Sequence, residues 1–151
     1  MAVSRSLRRM LEVRALGEEL SQAALEEALS SLRLLEGALQ AARERERSGR
    51  RHVTASAASA DAADRIAGLE ETRAASRRAA ALKPRIAEME DVVAARRAEF
   101  LEKRMERRQV ETLIRKTEAA DAVVAGRRTQ REIDDWFLRG AGHADGAVEE
   151  G

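Results

Sequence analysis

Histidine, cysteine and carboxylate side chains are the ones with which an enzyme would do chemistry, and this sequence offers few of them in a catalytic pattern. Its two histidines, His52 and His143, both fall in stretches predicted to lie outside the long helices. Cysteine is absent, which excludes a thiolate nucleophile and fits a reducing compartment. Neither a glycine-rich phosphate loop nor a metal-ligand spacing is present. We therefore expect no catalytic residue, no metal site and no cofactor.

Carboxylates are abundant, but they alternate with arginine and lysine. The stretch EMEDVVAARRAEFLEKRMERRQVE shows this alternation most clearly. Glu99 precedes Lys103 by four residues and Glu111 precedes Arg115 by four, an order that stabilises a helix by a few tenths of a kcal/mol per pair. Such a pattern is typical of a solvated, ion-paired helix surface. It indicates that the protein is not an enzyme.

Two stretches carry a local excess of basic residues. Residues 96–116 contain eight Lys or Arg against four Glu, and residues 43–51 contain five Arg against two Glu. Nucleic-acid binding needs uncompensated basic groups and, for single strands, stacking aromatics. The interleaved Glu and the single nearby aromatic, Phe100, argue against it, and the whole chain carries 28 Lys plus Arg against 27 Asp plus Glu. We expect no nucleic-acid partner; an acidic protein surface would suit the same basic residues.

Composition favours long helices over a thick core. Only 2% of the residues are aromatic, 36% are charged, and there is one proline. A chain rich in Ala, Glu, Arg and Leu at helical spacing predicts an all-α, elongated coiled coil. No run is apolar enough to span a membrane, and no apolar signal segment follows the first arginines. The sequence thus predicts a cytoplasmic protein without membrane insertion.

A first long helix is predicted from about Ser4 to about Arg47. Its apolar positions on one face are Val3, Leu7, Met10, Leu11, Leu25, Ala28, Leu29, Leu32, Leu35 and Leu39. A second stripe contains Val13, Leu16, Leu20 and Leu34. Because the two stripes differ, the spacing does not predict a strict heptad. Either the helix rotates around its partner, or a second partner covers the other stripe.

The middle of the chain is predicted to be an insert. Residues 48–60 are small and polar and are predicted to form a connection, and Asp61 and Asp64 favour the start of a weak helix over 61–82. Pro84 marks either a true break between two helices or a kink in one helix over 61–138. A second long helix is predicted over 84–138, and Gly140 opens a disordered tail over 139–151.

Two long amphipathic helices joined by a shorter helical insert predict an antiparallel hairpin, a single coiled-coil domain over 1–138. Residues near 4–47 would lie beside residues near 92–138, with both chain ends at one tip. Leu7 and Leu11 would lie in the seam. Trp136 and Phe137, with Ile133, would either close against Val3 and Leu7 as a terminal plug or insert into a partner, since Trp is frequent at binding hot spots.

Three stretches resemble the flagellar FliJ family, which is related to the stalk proteins of type III secretion. They are LRRMLEVRALGEELSQAALEEAL at 7–29, QVETLIRK at 109–116 and TQREIDDW at 129–136. The resemblance consists of a Leu/Arg/Glu/Ala helix, a late step at Val110, Glu111 and Leu113, and a closing run. The closing run comprises Gln130, Arg131, Glu132, Ile133, Asp134 and Asp135. The stretches cover both ends of the chain but not the insert.

The resemblance implies a function in bacterial flagellar protein export. Members of the family resemble the central stalk of rotary ATPases: they sit in the ring of the flagellar export ATPase and contact the cytoplasmic domain of the export gate, and some handle export chaperones. It implies a peripheral location on the cytoplasmic side of the inner membrane. The ATPase-ring end would contain Arg5, Arg8, Arg9, Arg127, Arg128, Arg131, Asp134 and Asp135. The gate end would contain Leu35, Leu39, Ile86 and Met89.

The residues themselves leave a different class of function open. A charged helical hairpin is also what a coiled-coil adaptor or chaperone requires, binding another helical protein without any ATPase partner. The two hypotheses predict different effects on the export ATPase.

Overall fold

Two long helices make up the described chain. The computed structural model describes residues 3–59 and 61–145, with side chains described up to residue 141. Helix α1 spans Arg5–Ser59 and helix α2 spans Ala62–Asp145. No strand occurs in these ranges. The all-α prediction is confirmed.

Both helices begin at side chains that cap them. The hydroxyl of Ser4 accepts a hydrogen bond from the Leu7 amide at 3.2 Å, at the predicted start of the first helix. Asp61 Oδ1 accepts from the amides of Ala63 at 3.1 Å and Asp64 at 3.3 Å. These bonds satisfy amides that have no partner inside a first helical turn. The predicted helix start at Asp61 is confirmed.

The predicted connection over 48–60 is wrong as far as Ser59, because α1 continues to that residue. The predicted weak helix over 61–82 and long helix over 84–138 are one helix, which continues through Pro84. A proline inside a helix costs about 3 kcal/mol, and the buried Leu82 and half-buried Ile86 on either side help to offset that cost. Helix α2 also continues past Leu138 to Asp145, so the predicted disordered tail over 139–151 is wrong as far as Asp145. Residues 60 and 146–151 lie outside the described residues, and with them that part of the predicted connection and tail.

The chain divides into two compact units, each containing a segment of both helices. The first unit is Met1–Leu16 with Arg104–Gly151, and the second is Gly17–Lys103. In the second unit, residues near the end of α1 contact residues near the start of α2, so the segments run antiparallel. In the first unit, Arg14 Nη1 donates a hydrogen bond to Glu106 Oε2, which pairs the last part of its α1 segment with the first part of its α2 segment.

Burial in the second unit recurs every seven residues. On α1 the covered positions at this spacing are Ala28, Leu35, Ala42, Gly49 and Ser56, and on α2 they are Gly68, Ala75, Leu82 and Met89. A seven-residue period keeps one stripe of a helix facing its neighbour. The expectation that α1 lacks a strict heptad is therefore wrong for this unit. The period was hard to see in the sequence because several of its positions hold small or polar residues.

Small residues let the two helices approach closely near the turn. We call Ala42, Gly49, Ser56, Gly68, Ala75 and Ala79 the small-residue seam; all six are buried. A Cβ on Gly49 would lie 2.5 Å from Thr72 Oγ1 and 3.0 Å from the Gly68 carbonyl oxygen. A Cβ on Gly68 would lie 2.9 Å from Val53 Cγ2. Only glycine fits at these two positions, so the backbones pack directly against each other.

The first unit uses larger side chains. Val3 and Val110 are buried, and Leu7, Leu11 and Ile114 are half-buried. The prediction that Leu7 and Leu11 lie in the seam agrees with this burial. Coverage of α2 ends at residue 121, since every residue from 122 to 141 is exposed.

Alanine at two glycines of α1 should have opposite effects on stability. Gly49→Ala places a Cβ against Thr72 and Gly68, and we expect it to lower the free energy of unfolding by about 1–3 kcal/mol. Gly37→Ala meets nothing within 4 Å and should raise it by up to about 1 kcal/mol, because alanine favours helix over glycine. Urea unfolding followed by circular dichroism measures both. Equal effects of the two substitutions would contradict the close approach at Gly49.

Candidate partner-binding surface on helix α2

Residues 122–141 form a stretch of α2 that no other described part of the chain covers. All are exposed, and at 1.5 Å per residue they extend for about 30 Å. We call this stretch the exposed α2 segment. Its large apolar side chains are uncovered by 45% or more: Val123 54%, Val124 63%, Ile133 45%, Trp136 70%, Phe137 61% and Leu138 72%. So much exposed apolar surface on one short stretch indicates an interaction site.

Local side-chain pairs stabilise the exposed α2 segment as a helix. Arg128 Nε donates to Glu132 Oε1 at 3.3 Å, and Gln130 Nε2 donates to Asp134 Oδ1 at 2.9 Å. Both pairs are four residues apart and contribute a few tenths of a kcal/mol each. These pairs therefore support helical structure where packing against α1 does not.

The exposed α2 segment has an apolar stripe and a charged face, and two further apolar side chains, Val124 and Leu138, lie within the charged face. Successive residues of a helix are about 100° apart, so residues three and four apart share a face. The apolar stripe comprises Val123, Gly126, Gln130, Ile133 and Phe137, with Trp136 at its edge. The charged face comprises Arg127, Arg128, Arg131, Asp134 and Asp135. The two surfaces can therefore contact different groups.

The aromatic pair of Trp136 and Phe137 is exposed to solvent. The rings of Trp136 and Phe137 meet edge to face, with centroids 5.1 Å apart, and both side chains are more than half exposed. The predicted terminal plug of these rings and Ile133 against Val3 and Leu7 is therefore wrong. The pairing of Arg14 with Glu106 places the start of α1 beside residues near 114–117, so α1 does not reach the aromatic pair.

The same register separates the residues predicted for the ATPase-ring end. Arg5, Arg8 and Arg9 are exposed at the start of α1 and lie opposite residues near 111–115. Arg127 follows that region by about three helical turns, roughly 18 Å. The structure therefore brings Arg127, Arg128, Arg131, Asp134 and Asp135 together on one helix, but it does not bring the three N-terminal arginines to them.

The residues predicted for the gate end do not lie at the end of the hairpin. Leu35, Leu39, Ile86 and Met89 are half-buried within the second unit, and Leu39 and Ile86 line one shallow groove. The cause is that α1 continues to Ser59 and α2 begins already at Ala62. The turn, at Asp61, lies roughly 30 Å farther along α1 than Leu39.

Side chains with catalytic potential are dispersed. His52 is on α1, not in a connection, and its Nε2 lies 3.8 Å from Asp64 Oδ1 with both side chains about half exposed. The side chain of His143 lies outside the described residues. Among the residues that the structure describes, no group of three or more His, Asp or Glu could hold a metal ion.

Sequence reasoning missed the glycine contact and the polar pair between the helices. Gly49 and Gly68 each lie seven residues from a buried alanine or serine on their own helix, and that spacing was the available signal. Arg14 and Glu106 have side chains 41% and 26% exposed. Their pairing required knowledge of the register, which one sequence does not supply.

Comparison with known proteins identifies no relative: no family model, curated protein or solved structure matches the chain. Over the described residues, neither helix has a stretch long and apolar enough to cross a membrane. The chain's own surfaces must therefore support any assignment of function.

Loss of the indole should leave stability nearly unchanged. We expect Trp136→Ala to change the free energy of unfolding by less than about 0.5 kcal/mol, as at an exposed site. Leu82→Ala is the matched control, because Leu82 is 6% exposed and its truncation should cost about 2–5 kcal/mol. Urea titration of both variants gives the comparison. A cost at Trp136 similar to that at Leu82 would mean that the indole is buried.

Proposed function

We propose that this chain is a non-enzymatic component of the bacterial flagellar protein export apparatus. In this role it acts as a stalk-like antiparallel coiled coil that couples the export ATPase ring to the export gate. The observation that carries the proposal is the exposed α2 segment, a single helix that continues beyond its cover by α1. The closing run of the resemblance, Gln130 to Asp135, lies on this segment.

A single helix can enter a narrower opening than a helix pair can. One α-helix with its side chains is about 10–12 Å across, and a second packed helix adds about 8–10 Å. The exposed α2 segment presents both basic and acidic groups around this narrow circumference. Arg127 and Arg131 make no ion pair within the described residues, so their charges are available to a partner.

The structure changes which residues the proposal assigns to each end. The ATPase-ring end comprises Arg127, Arg128, Arg131, Asp134 and Asp135, without the arginines at the start of α1. The gate-facing end moves to the turn marked by Asp61. Export chaperones would be further partners, and association with the cytoplasmic side of the inner membrane would be peripheral, through the export gate. No nucleic-acid partner is proposed.

A coiled-coil adaptor or chaperone for another helical protein is the second candidate. The apolar stripe favours this candidate, because a partner helix packs against apolar residues that recur every three to four positions. Such an adaptor would leave the export ATPase unaffected.

Charge reversal on the exposed α2 segment separates the two candidates. Arg127, Arg128 and Arg131 are exposed, so their joint replacement by Glu should leave helix content nearly unchanged, with only the Arg128–Glu132 pair lost. We expect it to weaken association with the export ATPase about tenfold or more, which corresponds to about 1.4 kcal/mol, and to remove any effect of the chain on ATP hydrolysis. Co-sedimentation and the hydrolysis rate, with circular dichroism as the folding check, measure these outcomes.

The control is a reversal of equal charge elsewhere. Arg73, Arg77 and Arg78 are also exposed but lie in the second unit, and replacing them with Glu should leave ATPase association intact. Equal losses from both triple variants would indicate nonspecific charge attraction. If the unmodified chain neither binds the export ATPase nor changes its hydrolysis rate, the stalk proposal is wrong and the adaptor is favoured.

A further inference from the structure

Two glycines on the exposed α2 segment have no role in the packing of the described chain. A Cβ at Gly126 or Gly140 would meet nothing within 4 Å, in contrast to the tightly packed Gly49 and Gly68. Glycine inside an exposed helix destabilises that helix relative to alanine. Gly126 and Gly140 thus form notches in the surface that no described residue fills.

These notches belong to a heptad pattern. Val123, Gln130 and Phe137 are seven residues apart, and so are Gly126, Ile133 and Gly140. The two sets alternate at steps of three and four, which is the a and d spacing of a helix that packs against another helix. Charged residues lie on the other side of the segment. The apolar stripe is therefore a helix seam that no described helix occupies.

We propose that the same stripe of a second copy of this chain occupies the seam, with the two helices antiparallel and related by a two-fold axis. In this arrangement Phe137 of each copy lies over Gly126 of the other, and Val123 lies over Gly140. Gln130 faces Ile133. Val123 and Phe137 of each copy then meet a glycine notch, and one contact surface serves both copies, as a two-fold interface requires.

Charge complementarity selects the antiparallel orientation. Arg127 and Asp134 are seven residues apart and flank the stripe on the same side. Antiparallel pairing places Arg127 of each copy near Asp134 of the other, so the pair occurs twice. Parallel pairing would place Arg127 opposite Ala122 of the other copy and Asp134 opposite Thr129, so neither charge would gain an oppositely charged partner. Arg127 makes no ion pair within the described residues, so nothing in its own chain competes for it.

The size of the contact predicts a weak, reversible dimer. The shared length, from Val123 to Gly140, is roughly 25 Å of helix, and a pair of such short helices buries less than the 1,200 Å² or more of a stable interface. Self-association should therefore appear only as protein concentration rises. The dimer would engage Arg127 and Asp134 at the edge of the surface assigned above to the ATPase and would leave Arg128, Arg131 and Asp135 exposed. Self-association is measured on the chain alone, without the ATPase. The dimer proposal and the export proposal can therefore fail independently of each other.

Sedimentation equilibrium of the full chain over a range of concentrations tests the proposal with matched variants. We expect Val123→Glu and Phe137→Glu each to weaken self-association at least tenfold. Val124→Glu and Leu138→Glu are the controls: these neighbours are at least as exposed but lie off the stripe, and association should stay within about twofold of the unmodified chain. All four sites are exposed, so circular dichroism should be unchanged.

Charge exchange tests the register. Arg127→Asp alone should weaken association by placing two acidic groups together, and Asp134→Arg alone should do the same with two basic groups. The double variant restores both pairs and should recover the unmodified affinity. A merely destabilised helix would not recover in this way.

Cysteine cross-linking tests the orientation, because the chain contains no native cysteine. A mixture of Val123→Cys and Gly140→Cys chains should form disulfide-linked heterodimers, and neither variant alone should cross-link efficiently. Cross-linking of Val123→Cys with itself would indicate a parallel pair and overturn the proposal. A chain that stays monomeric at millimolar concentration would also overturn it, as would a dimer that the stripe and control variants affect equally.

Discussion

The close approach of the two helices at Gly49 and Gly68 is the constraint on which the second unit depends. A Cβ at either position would overlap the facing helix, so the backbones themselves form the contact. Alanine and serine at seven-residue spacing continue that contact along both helices. Residues here are buried because the two helix backbones lie close together, not because large side chains cover them. This explains how a chain with 2% aromatic residues packs two long helices.

In the first unit the corresponding constraint is the pairing of Arg14 with Glu106. This pairing marks how far along α2 the start of α1 reaches, and coverage ends at residue 121. The aromatic pair and the charged face then belong to a single uncovered helix. Uncovered apolar and charged groups cost the chain little by themselves, but they provide a surface for a partner. The functional proposals both depend on this surface.

The sequence predicted the all-α class and the helix starts at Ser4 and Asp61. Prediction from the sequence failed where small residues allow the two helices to pack closely, because that packing stabilises helices that local propensity alone does not favour. Residues 48–59 look like a linker because glycine, serine and alanine have little to bury alone, yet Gly68 and Thr72 cover that stretch. The sequence did not decide between a break and a kink at Pro84 for a related reason: local propensity does not include the packing of Leu82 and Ile86. The exposure of Trp136 could not be predicted without the register.

Fluorescence of Trp136 tests most directly whether α2 continues uncovered past α1, since it is the one tryptophan of the chain. In dilute solution, where self-association is absent, acrylamide should quench its emission nearly as fast in the folded chain as in urea. The emission maximum should hardly move on unfolding. A blue-shifted emission that is protected from acrylamide, and that loses this protection when the helices unfold, would contradict the register and the surface derived from it.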